Sequence, residues 1–148
     1  MNIKNLAILT VLLITNTLMA QKVAVTWKFT AKKINATNYE VAMQATVPKG
    51  WHIYSQFTGD GPVATNFKYN KNALLTITGK VKETGKLIAV KDDIWKNTQK
   101  YFANTVTFTQ VIKLNSTIKT NLSGAVEYMI CDETNCLPPT TQKFNITL

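Results

Sequence analysis

The chain carries two cysteines, Cys131 and Cys136, and both lie in one stretch, YMICDETNCLPP, residues 128 to 139. Two thiols this close admit two chemistries: a structural crosslink, or a pair that opens and closes by exchange with a partner. Val126-Glu127-Tyr128-Met129-Ile130 reads as a strand, and the chain reads as a strand again from about Thr141. Between the cysteines, Asp132 and Asn135 bring turn chemistry. A hairpin there sets the two cysteines nearly opposite, with Cα atoms roughly 4.5 to 5.5 Å apart, within reach of a disulfide. A bond closing so short a loop constrains the unfolded chain by only about 2 kcal/mol. A domain of this length builds its own core. On these grounds staple and exchange stand level.

The flanking residues refine the picture. Asp132 and Glu133 disfavour a thiolate at adjacent Cys131. After Cys136, Leu137-Pro138-Pro139 holds two residues without an N–H, which leaves the backbone open at an edge for a partner. The spacing is not that of a CxxC motif, and no helix start is in sight to acidify a thiol. His52 is the only histidine, and with two cysteines it cannot complete a zinc site, so no metal is expected. Gly59-Asp60-Gly61 is too short to cradle phosphate and reads as a turn; no cofactor is expected.

The elements that must position the cysteines are strands. Val23, Val25, Trp27 and Phe29 alternate on one face, as do Tyr39, Val41, Met43, Ala45 and Val47. The same period runs through Val106, Phe108, Ile112 and Leu114, through Val126, Tyr128 and Ile130, and through Phe144, Ile146 and Leu148. Shorter candidates are WHIYSQF, TNFKY, LLTITG and KLIAV. Turn signals fall at Pro48-Lys49-Gly50, Gly59-Asp60-Gly61-Pro62, Lys82-Glu83-Thr84-Gly85 and Ser123-Gly124. No helical repeat is sustained. The expectation is one all-β domain, an immunoglobulin-like antiparallel β-sandwich, with a small β-barrel as the alternative. Val90 to Asn104 is polar and without a clean period, so it reads as a long loop between strands. Trp95 within it reads as tucked into a small satellite core, with a place parked over another group as the alternative. Asp92-Asp93 reads as a solvated pair.

The first twenty residues have the build of a secretory signal peptide: Lys4, an apolar run from Leu6 to Met19, and Ala20 at the expected cut before Gln21. The run is short for a membrane span and is interrupted by Thr15, Asn16 and Thr17. The expected mature domain is therefore 21 to 148, exported and without a membrane span, where disulfides persist. The net charge of the whole sequence is +9, and every cation is a lysine. Nucleic-acid recognition leans on arginine's planar fork, and the lysines are dispersed; they read as edge protection, not a nucleic-acid surface. The four N-x-S/T sequons, at Asn35, Asn115, Asn121 and Asn145, are what an Asn- and Thr-rich chain produces by chance.

CDETNCLPPTTQKFNITL at the end of an exported β-sandwich resembles the amino-terminal periplasmic domain family of the thiol:disulfide interchange protein DsbD. VTWKF, PKGWHIYSQF and KYFANTVTFTQVIKL are similar to further strands of that family, so the resemblance covers most of the mature chain. It implies an immunoglobulin-like sandwich that relays electrons, in the periplasm, to thioredoxin-fold proteins from a separate membrane electron donor. By that resemblance Cys131 and Cys136 match the redox disulfide pair, with Cys136 forming mixed disulfides and Cys131 resolving them. DDIWKNTQKYF matches the family's cap loop, which puts Trp95 in the shielding role with Asp93 beside it. Ile94 is the alternative, because the family's aromatic is usually phenylalanine. His52 and Tyr54 match two aromatic positions near the cysteines, His52 standing where the family has a tyrosine. The pair here has four intervening residues where the family has five. A different class of function also fits the sequence: a secreted binding module with an inert disulfide, using Trp51, Trp95 and the SQFTGDGPVATNF loop as an aromatic site.

Overall fold

The structure is a computed structural model and describes residues 23 to 148; the expected signal peptide lies outside the described residues. Nine strands make up the regular structure of the described residues: β1 Thr26–Lys33, β2 Asn38–Thr46, β3 His52–Tyr54, β4 Asn66–Tyr69, β5 Leu75–Asp92, β6 Asn97–Leu114, β7 Asn121–Tyr128, β8 Ile130–Cys131 and β9 Thr140–Thr147. They form two antiparallel sheets, an immunoglobulin-like sandwich. The larger is organised on β6, whose one edge pairs with β5 along nearly its whole length. Its other edge is shared by β2, over Thr105 to Lys113, and β3, over Tyr101 to Ala103. β1 lies outside β2, and β8 outside β3. The smaller sheet runs β4-β7-β9.

The core lies where the alternating faces meet. Val41, Met43 and Ala45 of β2, and Val106, Phe108 and Ile112 of β6, are fully buried against Leu122 and Val126 of β7. Trp27 bridges the layers, with Phe67, Phe108 and Tyr128 at centroid distances of 6.3, 6.0 and 5.5 Å. Each strand read from strict alternation turns out to present that face inward. Gly124, in the middle of β7, is needed by close packing: a Cβ there would sit 2.8 Å from the Phe144 ring and closer still to the Lys68 carbonyl.

Five expectations need correcting. The stretch from Val90 to Asn104 is not a long loop: β5 continues to Asp92, and β6 starts at Asn97 after a four-residue turn. The pieces LLTITG and KLIAV belong to this one 18-residue strand, β5. Lys82-Glu83-Thr84-Gly85 is therefore not a turn, and Ser123-Gly124 lies inside β7. The physical reason is common to the arm. Beyond the sandwich, β5 and β6 form a hairpin with both faces partly exposed, so neither hydrophobic period nor apolar content marks it as strand. Finally, the strand read through Ile130 breaks at Met129: β7 belongs to the small sheet, and β8 crosses to the large one.

The arm is re-aimed where it leaves the core. Asn104 sits at φ 71°, between the β2-paired and β3-paired parts of β6. Opposite it, the register of β5 shifts between Gly85 and Leu87. Irregularities of this kind bend and twist a strand pair. The arm's tip thereby comes over the end of the sheet where β3 and β8 lie.

Candidate functional site

Cys131 is held by a two-residue strand. Its register partner on β3 is His52, and Ile130 pairs with Ile53. The face assignment follows from the two-residue period. Ile53 is fully buried in the core, so His52, Tyr54 and Cys131 all lie on the opposite face of the large sheet. Tyr101 of β6 pairs with Tyr54 and completes the group. The site is thus built on the outer face of the sheet that carries the core.

After Cys131 the chain makes one tight turn. The Asp132 carboxylate accepts the backbone N–H groups of Thr134 at 2.8 Å and Asn135 at 2.6 Å, and its own N–H donates to the Asn135 carbonyl at 2.9 Å. These bonds to the charged form hold its carboxyl below the usual carboxylate range. The turn returns Cys136 to an isolated antiparallel bridge with Cys131, and the two sulfurs are joined in a disulfide. The Leu137 N–H then donates to the Ile130 carbonyl at 3.0 Å. The two ends of the disulfide differ sharply: Cys131 is 2% exposed, whereas Cys136 is an exposed residue.

Around the buried sulfur runs a line of polar contacts. The Tyr54 hydroxyl donates to Cys131 Sγ at 3.3 Å, and His52 Nε2 lies 3.2 Å from the same hydroxyl. His52 stacks on Tyr101 with centroids 4.2 Å apart. Burial pushes the His52 pKa below its ordinary value, and the Asp132 carboxylate opposes that in part. Burial raises the Tyr54 pKa, with Asp92 and Tyr101 adding to the rise, so its hydroxyl keeps its proton.

The arm's tip forms the far wall. The Asp92 carboxylate accepts the N–H groups of Ile94 at 2.8 Å and Trp95 at 2.7 Å, which closes the turn. Val90, Asp92, Ile94 and Trp95 face the cysteine turn across a cleft of about 390 Å³. The tip is tied to the Thr58–Gly61 segment, whose Asp60 carbonyl accepts from Asn97 and Gln99 side chains, both at 2.9 Å. Trp95 is not tucked into a satellite core. It is 54% exposed, and its ring lies against Gly61, where a Cβ would approach to 2.5 Å. Ile94 is 85% exposed, and Asp93 is exposed in the turn. Asp92 is no free solvated carboxylate, since both its turn bonds and its place in the cleft engage it.

Of the residues picked from the sequence, the structure brings together Cys131, Cys136, His52, Tyr54, Ile94 and Trp95 around one cleft. Trp51 is elsewhere, partly buried against the core, so it does not join Trp95 in an aromatic site. Sequence reasoning missed Tyr101, although the Tyr-Phe alternation of KYFA could have marked it. It also missed Glu83, whose carboxylate accepts from Ser55 Oγ and from the Gln56 N–H, each at 2.7 Å. Thr65 was missed as well; its hydroxyl donates to the Tyr54 carbonyl at 2.5 Å. No group of three or more potential metal ligands occurs among the described residues.

A sandwich with an asymmetric disulfide on its outer face, walled by a β-hairpin tip, can be compared with known proteins. Residues 15 to 148 match the family described as thiol:disulfide interchange protein DsbD, N-terminal. The chain belongs to the DsbD N-terminal domain family. Among solved structures, the N-terminal periplasmic domain of ScsB from Proteus mirabilis aligns with a TM-score of 0.63 at 18% identity, over 86% of this chain. The chain spans 47% of that ScsB chain. The reduced DsbD N-terminal domain of Neisseria meningitidis aligns at 0.54 and 15% identity, over 84% of this chain and 85% of its own. The same domain in complex with the PilB N-terminal domain aligns at 0.54 and 15%, over 88% of each chain. At these identities the likeness shows the shared DsbD N-terminal fold. No curated protein matches the sequence. No helix among the described residues of this DsbD N-terminal family member is long and apolar enough to cross a membrane.

Proposed function

We propose that the protein is an exported, periplasmic thiol:disulfide exchange domain. It passes electrons between thioredoxin-fold proteins and a separate membrane electron donor through Cys131 and Cys136. The observation that carries this reading is the asymmetry of the disulfide, one cysteine an exposed residue at the cleft and the other buried with its sulfur under a hydroxyl donor. A crosslink needs no such difference, whereas exchange requires one sulfur that a partner can reach.

In the reduced domain, the Cys136 thiolate attacks a partner disulfide. A bond forms between Cys136 Sγ and one partner sulfur, and the other partner sulfur leaves with the electron pair and takes a proton. The Cys131 thiolate then attacks Cys136 Sγ, the mixed disulfide breaks, and the partner departs as a dithiol while Cys131–Cys136 closes. The domain has lost two electrons and the partner has gained two. A donor thiolate attacking exposed Cys136 resets the pair by the reverse route. Ile94 and Trp95 at the arm's tip, with Asp93 in the same turn, act as the shield that a cognate partner displaces.

The test is trapping with an oxidised thioredoxin-fold protein bearing a CxxC disulfide. Reduced Cys131→Ser protein should accumulate a mixed disulfide through Cys136, whereas Cys136→Ser should give none. An adduct through Cys131 in the Cys136→Ser protein would sink the assignment. The Cys131–Cys136 reduction potential should also lie above about −300 mV, the region typical of working pairs.

A further inference from the structure

We propose that His52 and Tyr54 form a proton relay that delivers a proton to Cys131 when the disulfide opens. This rests on the exchange reading above and adds the route of the proton. A tyrosine hydroxyl has one proton to give. Tyr54 gives it to Cys131 Sγ at 3.3 Å, so the contact of 3.2 Å with His52 is completed only if Nε2 carries a hydrogen and donates to the Tyr54 oxygen. The geometry therefore sets a directed line, His52 Nε2–H to Tyr54 Oη–H to Cys131 Sγ. At one end is the buried sulfur. At the other is a half-buried ring.

The buried sulfur is where a proton is needed. When a partner thiolate attacks exposed Cys136, a bond forms between the partner sulfur and Cys136 Sγ. The Cys131–Cys136 bond breaks, and the electron pair goes to Cys131 Sγ. An unpaired thiolate at a 2% exposed position is costly. With His52 protonated on both ring nitrogens, the Tyr54 hydroxyl proton passes to Cys131 Sγ, the Tyr54 oxygen takes the proton of His52 Nε2, and Nδ1 keeps its own. The products are a thiol, an intact phenol and a neutral imidazole, the charge of the imidazolium cancelling that brought by the attacking thiolate. Closure of the disulfide runs the same protons backward. A tyrosine at position 52 could hold the Tyr54 hydroxyl in place, but it has no second nitrogen to load.

The groups facing His52 are Tyr54 on its own strand, Tyr101 from β6, and Cys131 with the Asp132 carboxylate from β8 and the turn after it. Asp92, Glu133 and Cys136 line the same cleft. Asp132 is held anionic below the ordinary carboxylate range, and Tyr54 stays protonated above the ordinary phenol range. Of these three groups, His52 is the one whose ordinary value, 6.5, lies near neutrality.

The test is the rate at which dithiothreitol opens the disulfide of the full oxidised protein between pH 5 and 8, divided by the concentration of attacking thiolate. The wild-type quotient should rise as pH falls through the His52 titration. His52→Gln keeps an N–H for Tyr54 but cannot pass a proton on, so its quotient should be flat. At the acid end it should be slower by on the order of a hundredfold, the low end of general-acid contributions. Tyr54→Phe should give the same flat profile. A His52→Gln profile that follows the wild type overturns the relay, and so does a flat wild-type profile. Because dithiothreitol replaces the protein partner, failure of the exchange reading shows elsewhere, as absence of mixed disulfides with a thioredoxin-fold protein.

Discussion

Replacement of Glu83 tests how the arm holds the site, because Glu83 stands on β5 while the groups it binds follow directly after Tyr54. Its carboxylate accepts the Ser55 hydroxyl and the Gln56 N–H, both at 2.7 Å, and Ser55 is fully buried. Hydrogen bonds to a charged acceptor contribute about 1.5 to 3 kcal/mol each. Glu83 is itself only half-buried, so solvent screening places the pair at the lower end, about 3 kcal/mol in total. Glu83→Ala removes both bonds and leaves the Gln56 N–H without its acceptor. We expect a loss of about 3 kcal/mol in urea unfolding of the oxidised protein, with an unchanged m-value. Glu83→Gln keeps one acceptor oxygen and should lose about half as much. The alanine variant should also open faster with dithiothreitol, because the turn that anchors Tyr54 is loosened. A loss below about 0.5 kcal/mol, the range of an ordinary surface substitution, would refute the reasoning.

Other outcomes follow from single contacts. Gly61→Ala places a Cβ at 2.5 Å from the Trp95 ring and asks alanine to adopt φ 124°, so it should displace the ring and red-shift its fluorescence. Unchanged emission would place Trp95 elsewhere in solution. Reduction of the disulfide should lower the unfolding free energy by only about 2 kcal/mol, and the domain should stay folded by circular dichroism. Because the folded-state pKa of His52 is depressed, the unfolded chain binds its proton first. Stability should therefore fall as pH drops through about 6.5, a slope of at most about 1.4 kcal/mol per pH unit, and His52→Phe should lack it. Asp132, also depressed, acts in a separate window, its contribution being lost only as pH falls below about 3.8.

The sandwich was legible in the sequence because its strands are half-buried. Val41, Met43 and Ala45 announce an inner face by their spacing alone, and all three are fully buried. The arm was illegible for the converse reason. Leu87 and Val90 are 48% and 46% exposed, so the alternation of β5 has no buried face to report. Of the cleft, the cysteines and the turn between them could be read locally, since Asp132 and Asn135 act within four residues of each other. Its other walls come from pairings between distant strands. No local pattern states that Tyr101 will lie beside Tyr54, or that Glu83 will reach Ser55. The resemblance to the DsbD N-terminal family pointed to His52, Tyr54, Ile94 and Trp95 where composition alone did not.

The three residues of β3 serve two masters. Ile53 belongs to the core, while His52 and Tyr54 on either side belong to the cleft. Substitutions on the outward side can therefore accumulate without touching the fold, as long as the strand keeps its phase. Insertion or deletion of one residue in the Pro48–Trp51 turn is a different matter. It would rotate His52 and Tyr54 into the hydrocarbon layer and present Ile53 to the disulfide in a single step. Length in that turn should thus be inherited far more strictly than letters, and a loop-length library across it would separate the two kinds of tolerance.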